Sequence, residues 1–262
     1  SIALTILNYC LISAVMTIGA NIQWGYAGLI NFGIMGYTAL GGLAVVLVSV
    51  DPVKKAWQVG GLNILLSLWV IVIMIFSIRF VLKNFDKSKF RMYGIGAIIL
   101  IGIFLIRSTA APGIEAIEAV DPAKTGYLGG LDLPIIISWP IGGLLAAMIA
   151  YVIGKISLGL RSDYLAIATL GISEIIIYIL KNEDWLSRGV KNVNGLPRPV
   201  PYEIDLQSEP WVLELTKFFN IPVSEISSII VKLSYSCIFL LILIGILLLL
   251  EIAQKSPWGR MM

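Results

Sequence analysis

The sequence contains no histidine, and only 13% of its 262 residues are charged. Soluble domains carry about 25% charged residues. The hydrophobic share is 58% and the mean hydropathy is +0.92. A soluble fold of this size would still expose a large surface to water, so this much apolar surface predicts lipid as the solvent. The net charge of +3 is too small to indicate a nucleic-acid partner.

Motifs that carry enzyme chemistry are also missing. The sequence has no G-x-x-x-x-G-K-[ST] phosphate loop, no G-x-S-x-G nucleophile elbow and no metal-ligand cluster. Its two cysteines, Cys10 and Cys237, form neither a disulfide framework nor a zinc pattern and are interpreted as small apolar residues. We therefore predict no catalytic residue, no metal site and no cofactor on this chain.

Long apolar runs dominate what is present, and a transmembrane helix needs about 20 such residues. Seven stretches qualify: Ile2–Ala20, Ile34–Val50, Leu62–Leu82, Tyr93–Ile106, Leu133–Ile153, Tyr164–Leu180 and Ile229–Ile252. Pro134 and Pro140 predict a kink in the fifth stretch. The predicted fold is an all-α polytopic membrane protein with about seven transmembrane helices, some of them broken or kinked, in a single domain over 1–262.

The distribution of basic residues orients these spans. With the C-terminus in the cytosol, segments 83–91, 154–163 and 253–262 contain eight basic residues in 29 positions. The opposite loops, 51–61, 107–132 and 181–228, contain nine in 85 positions. Basic residues are enriched in cytoplasmic loops. The sequence therefore predicts that 181–228 is periplasmic and that Ser1 lies outside, with a further span expected upstream.

The periplasmic loop 181–228 is too long to be a mere connector. It contains five prolines, and Trp211–Phe219 between them is predicted to form a short interfacial helix. The loop either contacts a partner outside the membrane or caps the helix ends.

The link 21–33 reads NIQWGYAGLINFG and has no charge. Irregular backbone at membrane depth survives only when it is buried in protein or lines a cavity. The glycines indicate either close helix packing or a broken helix beside a permeation path.

Glu174 lies inside the sixth apolar stretch. A carboxylate at that depth costs about 2.5–3.5 kcal/mol on insertion scales. We predict that it faces a protein interior or a wet cavity, either as a structural bond to a neighbouring helix or as a contact for substrate along the path.

Two ordered motifs resemble the signatures of bacterial branched-chain amino-acid ABC transporter permeases. They are NIQWGYAGLINFGIMGYTALGG at 21–42 and LRSDYLAIATLGISEI at 160–175. The chain ends in SPWGRMM, which resembles the entry to the coupling segment of that family, and the closest likeness is to its LivM-type members. The resemblance assigns to the translocation path or the family signature Asn21, Gly25, Tyr26, Gly28, Asn31, Gly33, Asp163, Tyr164, Thr169 and Glu174.

The resemblance implies a permease subunit that works with others in the bacterial inner membrane. The implied partners are a second permease subunit, two ATP-binding cassette subunits, a periplasmic substrate-binding protein and membrane lipid. Contact with the ATPases would fall on Ser256, Pro257, Trp258, Gly259 and Arg260, where a plain topology anchor is the alternative interpretation. Relative to the family, the chain is expected to be truncated at both ends.

Three alternatives remain open on the sequence. Related permeases carry urea or short amides, so the substrate rests on resemblance alone. An ion-coupled secondary transporter would use broken helices and a carboxylate such as Glu174 at mid-membrane. A non-transporting membrane scaffold is the third, and no feature of the sequence indicates it specifically.

Overall fold

A computed structural model describes residues 2–85, 89–256 and 259. The described residues fold into helices and connecting loops. The helices are α1 (Ile2–Asn21), α2 (Ile34–Ser49), α3 (Lys54–Asn84), α4 (Lys89–Glu118), α5 (Ile135–Ser157), α6 (Ser162–Asn182), α7 (Asp184–Ser187), α8 (Glu203–Gln207), α9 (Pro210–Phe219) and α10 (Val223–Lys255).

Within the described ranges, six helices are long and apolar enough to cross a membrane, and α2 is a seventh, shorter apolar helix. The prediction of about seven membrane helices is confirmed. The largest boundary difference is in the fourth, predicted at Tyr93–Ile106 and observed from Lys89 to Glu118. This helix continues through Pro112. Proline has no N–H and leaves one helical carbonyl without its donor, and neighbouring groups in a membrane protein can satisfy that carbonyl.

Two of these helices contain a wider π-helical turn. α1 continues into one at Ile22–Tyr26, and α3 contains one at Trp57–Gly61. Pro140 is the sixth residue of α5, and the kink expected there stays a prediction. π-Helical turns are rare and often mark functional positions, which directs attention to the one that precedes the link between α1 and α2.

The chain divides into two compact units. The first contains residues 1–38, 146–175 and 197–262, and the second contains residues 39–145 and 176–196.

In the first unit, α1 packs along α10 in the same direction. Asn8, near the start of α1, donates from Nδ2 to the carbonyl of Lys232 at 3.1 Å and accepts from the hydroxyl of Ser236 at 2.6 Å. Further along, Ile22 and Tyr26 lie beside Ile246 and later residues of α10. The first and last membrane helices must run in the same direction when a chain crosses the membrane an odd number of times.

In the second unit, α3 and α4 form an antiparallel pair that closes tightly at one end. A Cβ at Gly60 would lie 2.6 Å from Cγ1 of Ile117, and one at Gly113 would lie 2.6 Å from Cβ of Asn63. Ala56, Ile64, Ile117 and Leu128 form the buried core of this end. The close approach therefore depends on residues without side chains.

Loop 181–228 belongs partly to each unit. Its first part is tied to the loop after α4 through the buried Arg188, which donates to the carbonyls of Ala123 and Asn192. Its later part contains α8 and α9, and the helix predicted at Trp211–Phe219 is observed at Pro210–Phe219.

Candidate translocation segment

The link between α1 and α2 is a true break in the helical backbone. After the π-helical turn, residues 27–33 have no regular structure. Gly28 has φ +63°, a left-handed conformation that glycine adopts without strain. A Cβ at Gly28 would meet no atom within 4 Å. Gly28 is thus needed for its backbone conformation, and the close packing that the sequence suggested for this position is not observed there.

Asn31 connects the two sides of the break. Its Oδ1 accepts from the N–H of Gly33 at 2.7 Å, and its Nδ2 donates to Oε1 of Gln23 at 2.7 Å. Its carbonyl accepts from the indole N–H of Trp24 at 3.0 Å. The backbone of a broken helix leaves donors and acceptors without intrahelical partners. The side chain of Asn31 satisfies one of these donors, the N–H of Gly33, and the side chain of Trp24 satisfies the carbonyl of Asn31.

The start of α2 packs closely against α6. The N–H of Phe32 donates to Oγ1 of Thr169 at 3.2 Å, and the N–H of Gly36 donates to Oγ of Ser173 at 2.8 Å. A Cβ at Gly33 would lie 2.9 Å from the carbonyl oxygen of Thr169. The glycine-rich link therefore combines a backbone break with close helix packing, and the permeation path beside the break stays a prediction.

The residues before the break have separate roles. Asn21 ends α1, and its side chain lies against Gly25, where any Cβ would meet it. Tyr26 is half exposed and lines an apolar groove of about 260 Å³ together with Ile22. The other residues of that groove are Ile246, Leu249, Leu250, Ala253, Gln254 and Gly259.

α6 has a buried face and an exposed face. Thr169 and Ser173 are buried on the side that meets α2. Asp163, Tyr164 and Glu174 are exposed on this chain. Helical geometry at 3.6 residues per turn places Asp163 and Glu174 on one side of the helix. The structure thus separates the sequence-predicted residues of α6, with Thr169 on one face and the two carboxylates on the other.

At the far end of α10, Ser256 caps the helix. Its hydroxyl donates to the carbonyl of Ala253 at 2.5 Å and accepts from the N–H of Gly259 at 3.3 Å. Gly259 lies close against Ala253 and Gln254, which leaves no room for a side chain. The remaining residues predicted for coupling, Pro257, Trp258 and Arg260, lie outside the described residues.

Sequence reasoning missed three residues that complete these contacts. Gln23 and Ser173 stand inside the quoted motifs, and their amide and hydroxyl groups at membrane depth were the signal that they need partners. Asn8 was missed as well, although its amide stands among mostly apolar residues of the first helix. Over the described ranges, no group of three or more metal-ligating side chains is found.

Among the described residues, seven apolar helices, one of them entered through a broken and hydrogen-bonded link, define a multi-pass α-helical membrane protein. Residues 2–262 match the family described as "Branched-chain amino acid transport system / permease component". The chain therefore belongs to the branched-chain amino-acid transport permease family, and the family predicted from the two motifs is confirmed.

Two curated relatives share part of this sequence. The chain is 31% identical over 112 residues to "High-affinity branched-chain amino acid transport system permease protein LivM" of Escherichia coli strain K12. It is 30% identical over 112 residues to the protein of the same name from Salmonella typhimurium strain LT2. Each match covers 43% of this chain and 26% of the relative, so the aligned part spans about a quarter of each relative. No solved structure matches the chain.

Proposed function

We propose that this chain is a permease subunit of an ATP-driven importer that carries branched-chain amino acids across the bacterial inner membrane. The observation that carries the proposal is the family match over residues 2–262. The printed names of the two relatives, both permeases of high-affinity branched-chain amino-acid transport systems, agree with it.

The division of labour follows from what the sequence lacks. The chain has no phosphate loop, so the ATP would be hydrolysed on two separate cassette subunits. A second permease subunit and a periplasmic substrate-binding protein complete the proposed assembly. The chain itself would carry no cofactor.

The broken link is the proposed wall of the translocation path. Irregular backbone at membrane depth needs either protein or a water-filled cavity beside it. Thr169 and Ser173 satisfy two of its N–H groups on the α6 side, and the half-exposed Trp24 and Tyr26 lie on its open side. A segment that is held by α6 on one side and open on the other has the form that a path-lining element requires.

Glu174 is proposed to face that path or the second permease subunit. Its side chain is exposed on this chain, although it lies about 18 Å along α6 from Ser162. Lipid contact would cost the ionised carboxylate about 2.5–3.5 kcal/mol. The cover for this side chain is therefore expected to come from outside this chain.

Ser256–Arg260 is the proposed contact through which ATP hydrolysis drives transport. Ser256 ends α10, and its hydroxyl bonds to the carbonyl of Ala253 and the N–H of Gly259. An attached subunit that moves this capped end would move α10 with it.

The deciding experiment is uptake into vesicles that contain the full-length subunit, its partner permease, the ATPases and the binding protein. Radiolabelled leucine uptake should require ATP and continue after the proton gradient is collapsed. Excess isoleucine or valine should compete, and excess urea or acetamide should not. Uptake without the ATPases that stops when the gradient collapses would instead establish the ion-coupled secondary transporter.

Two substitutions at Glu174 separate the remaining possibilities. If the residue contacts a neighbouring subunit, Glu174→Gln should retain assembly and uptake, while Glu174→Leu should reduce the yield of the assembled complex. If it binds an ion or the substrate amine, Glu174→Gln should abolish uptake and leave assembly intact. Co-purification of the second permease subunit measures assembly independently of uptake.

A further inference from the structure

Helix α9 has an apolar face that its own packing only partly covers. Val212 is fully buried in a cluster with Leu206, Ile226 and Val231. Next to it on the helix, three aromatic side chains remain exposed: Trp211 at 47%, Phe218 at 81% and Phe219 at 58%. We call these three residues the aromatic face.

The residues of the aromatic face lie along one side of α9. Trp211 and Phe218 are seven positions apart, which brings them within about 20° of each other around a helix. The rings of Phe218 and Phe219 meet edge to face with centroids 5.0 Å apart. Lys217 lies on the opposite side of the helix, Glu214 lies at the edge of the aromatic face next to Phe218, and both are exposed. α9 is therefore amphipathic beyond what its contact with α10 uses.

The ends of α9 are fixed by local sequence. Pro210 occupies the first turn, where its missing N–H needs no partner. Asn220 ends the helix in the left-handed conformation, with φ 54°, and Pro222 two residues later prevents continuation. The aromatic face is thus held on a defined helix of about 15 Å.

The packing of α9 on α10 gives its depth in the membrane. Between Lys232 and Glu251, α10 has no charged residue. That run of 18 residues spans about 27 Å, close to the hydrocarbon thickness of about 30 Å. α9 packs at the level of Ile226–Val231. Its axis therefore lies within about 10 Å of the hydrocarbon boundary.

α1 provides a second measure of depth. Asn8 lies level with Lys232 and Ser236, and the two helices run in parallel. Ile2, six residues before Asn8, is therefore near the level of Ile226, and its side chain is 76% exposed. The apolar outer surface of this unit continues up to the level at which α9 packs.

We propose that α9 is an interfacial anchor whose aromatic face contacts lipid at the boundary between headgroups and acyl chains. The leaflet is the one on the side of loop 181–228, which the charge distribution assigns to the periplasm. Amphipathic helices with bulky apolar residues on one side and charged residues on the other lie in this layer. Tryptophan is enriched there because its ring is apolar and its N–H can reach water.

The proposal is independent of the substrate and of the ATPases, since it concerns how the loop is seated. It predicts that the later part of loop 181–228 is held against the bilayer by its own side chains. α10 then has a fixed level at its outer end before any partner binds.

The test uses spin labels on single cysteines in the full chain, reconstituted in phospholipid nanodiscs. Cys10→Ser and Cys237→Ser provide the background. One label is placed by Phe218→Cys, and its matched control, one residue away on the charged side, is Lys217→Cys. Collisions with oxygen, which concentrates in lipid, are compared with collisions with a water-soluble nickel complex.

The label at 218 should collide with oxygen several-fold more, relative to nickel, than the label at 217. Trp211→Cys, on the same face, should behave as 218 does, which guards against one variant that fails to fold. Equal nickel access at 217 and 218 would place the aromatic face in water and overturn the proposal. A label at 218 shielded from both reagents would mean that protein covers the face, which would also overturn it.

Discussion

Two helix contacts in the first unit hold membrane helices together by different means. Where α2 meets α6, backbone N–H groups of Phe32 and Gly36 donate to the hydroxyls of Thr169 and Ser173. Where α1 meets α10, the side chain of Asn8 bonds to the other helix while both backbones remain helical. The first contact completes a break, and the second links two intact helices.

The two contacts differ in which hydrogen-bonding groups lose their partners when a side chain is substituted. At the break, the donors belong to the backbone and cannot be deleted. The N–H of Gly36 also reaches the carbonyl of Gly33 at 3.2 Å, whereas loss of the Thr169 hydroxyl strands the N–H of Phe32 at membrane depth. At the intact pair, Asn8 and Ser236 are side chains that apolar residues can replace together, and the carbonyl of Lys232 lies within an intact helix. We therefore expect substitutions at the α2–α6 contact to be more destabilising than those at the α1–α10 contact.

The largest effect is expected from Gly33→Ala. The new Cβ would lie 2.9 Å from the carbonyl oxygen of Thr169 and 2.9 Å from Oδ1 of Asn31. α2 would have to move away from α6, and overpacking of this kind typically costs about 1–3 kcal/mol. The free energy of unfolding in mixed detergent micelles, measured by denaturant titration, should fall by that amount.

The matched control for Gly33 is Gly42→Ala in the same helix. A Cβ at Gly42 would meet no atom within 4 Å, and alanine favours helix over glycine by about 1 kcal/mol. The control should be neutral or stabilising. Equal destabilisation by both variants would show that the fit between α2 and α6 is not what limits position 33.

A second, smaller loss is expected at Gly28, for a different reason. The left-handed conformation costs a residue with a side chain about 1–2 kcal/mol, while the space around Gly28 is open. Gly28→Ala and Gly28→Leu should therefore be destabilised equally, and Gly28→Asn less, since asparagine tolerates φ > 0. Greater damage from leucine than from alanine, in thermal unfolding, would restore the packing explanation that the sequence suggested.

Thr169→Val should cost about 1 kcal/mol. Valine has the shape of threonine but cannot accept the hydrogen bond from the N–H of Phe32. Thr38→Val is the control, because the hydroxyl of Thr38 only returns to the carbonyl of Ile34 in its own helix. If the two variants unfold at the same denaturant concentration, the contact between the break and α6 does not contribute to the stability of the folded protein.

These contacts also show how far the sequence could predict the structure. The apolar runs predicted all seven membrane helices, because hydrocarbon demands long apolar segments. The break at 21–33 was one of the two alternatives that its glycines and its lack of charge left open. The partner of the break was not, because the pairing of Gly36 with Ser173 spans 137 positions, and a single sequence contains no signal for such a distance.

The ends of the helices and the surroundings of the Glu174 side chain were harder to predict. Tyr93–Ile106 was too short at both ends, because the helix continues past Arg107 and through Pro112 to Glu118. Glu174 was predicted to face a protein interior or a wet cavity, and its side chain is exposed on this chain. Its cover therefore depends on molecules outside this chain, which the proposed uptake and assembly assays test.

The smallest effect is expected where α1 meets α10. The hydroxyl of Ser236 donates to Oδ1 of Asn8 at 2.6 Å and to the carbonyl of Lys232 at 3.0 Å. Hydrogen bonds between membrane helices average about 0.6 kcal/mol by double-mutant cycles, because the separated helices find other partners. A cycle of Asn8→Leu, Ser236→Ala and the double variant should give a coupling energy of that size.

The double variant decides whether the contrast between the two helix contacts is real. It removes both polar groups, so it should be less destabilised than the sum of the single variants.

Ser234→Ala is the control, since that hydroxyl bonds only to the carbonyl of Ile230 in α10 itself, and it should show no coupling with Asn8→Leu. A coupling energy at Asn8 and Ser236 as large as the loss at Gly33 would contradict the comparison. It would mean that an amide between two unbroken helices holds this unit together as firmly as the closely packed break does.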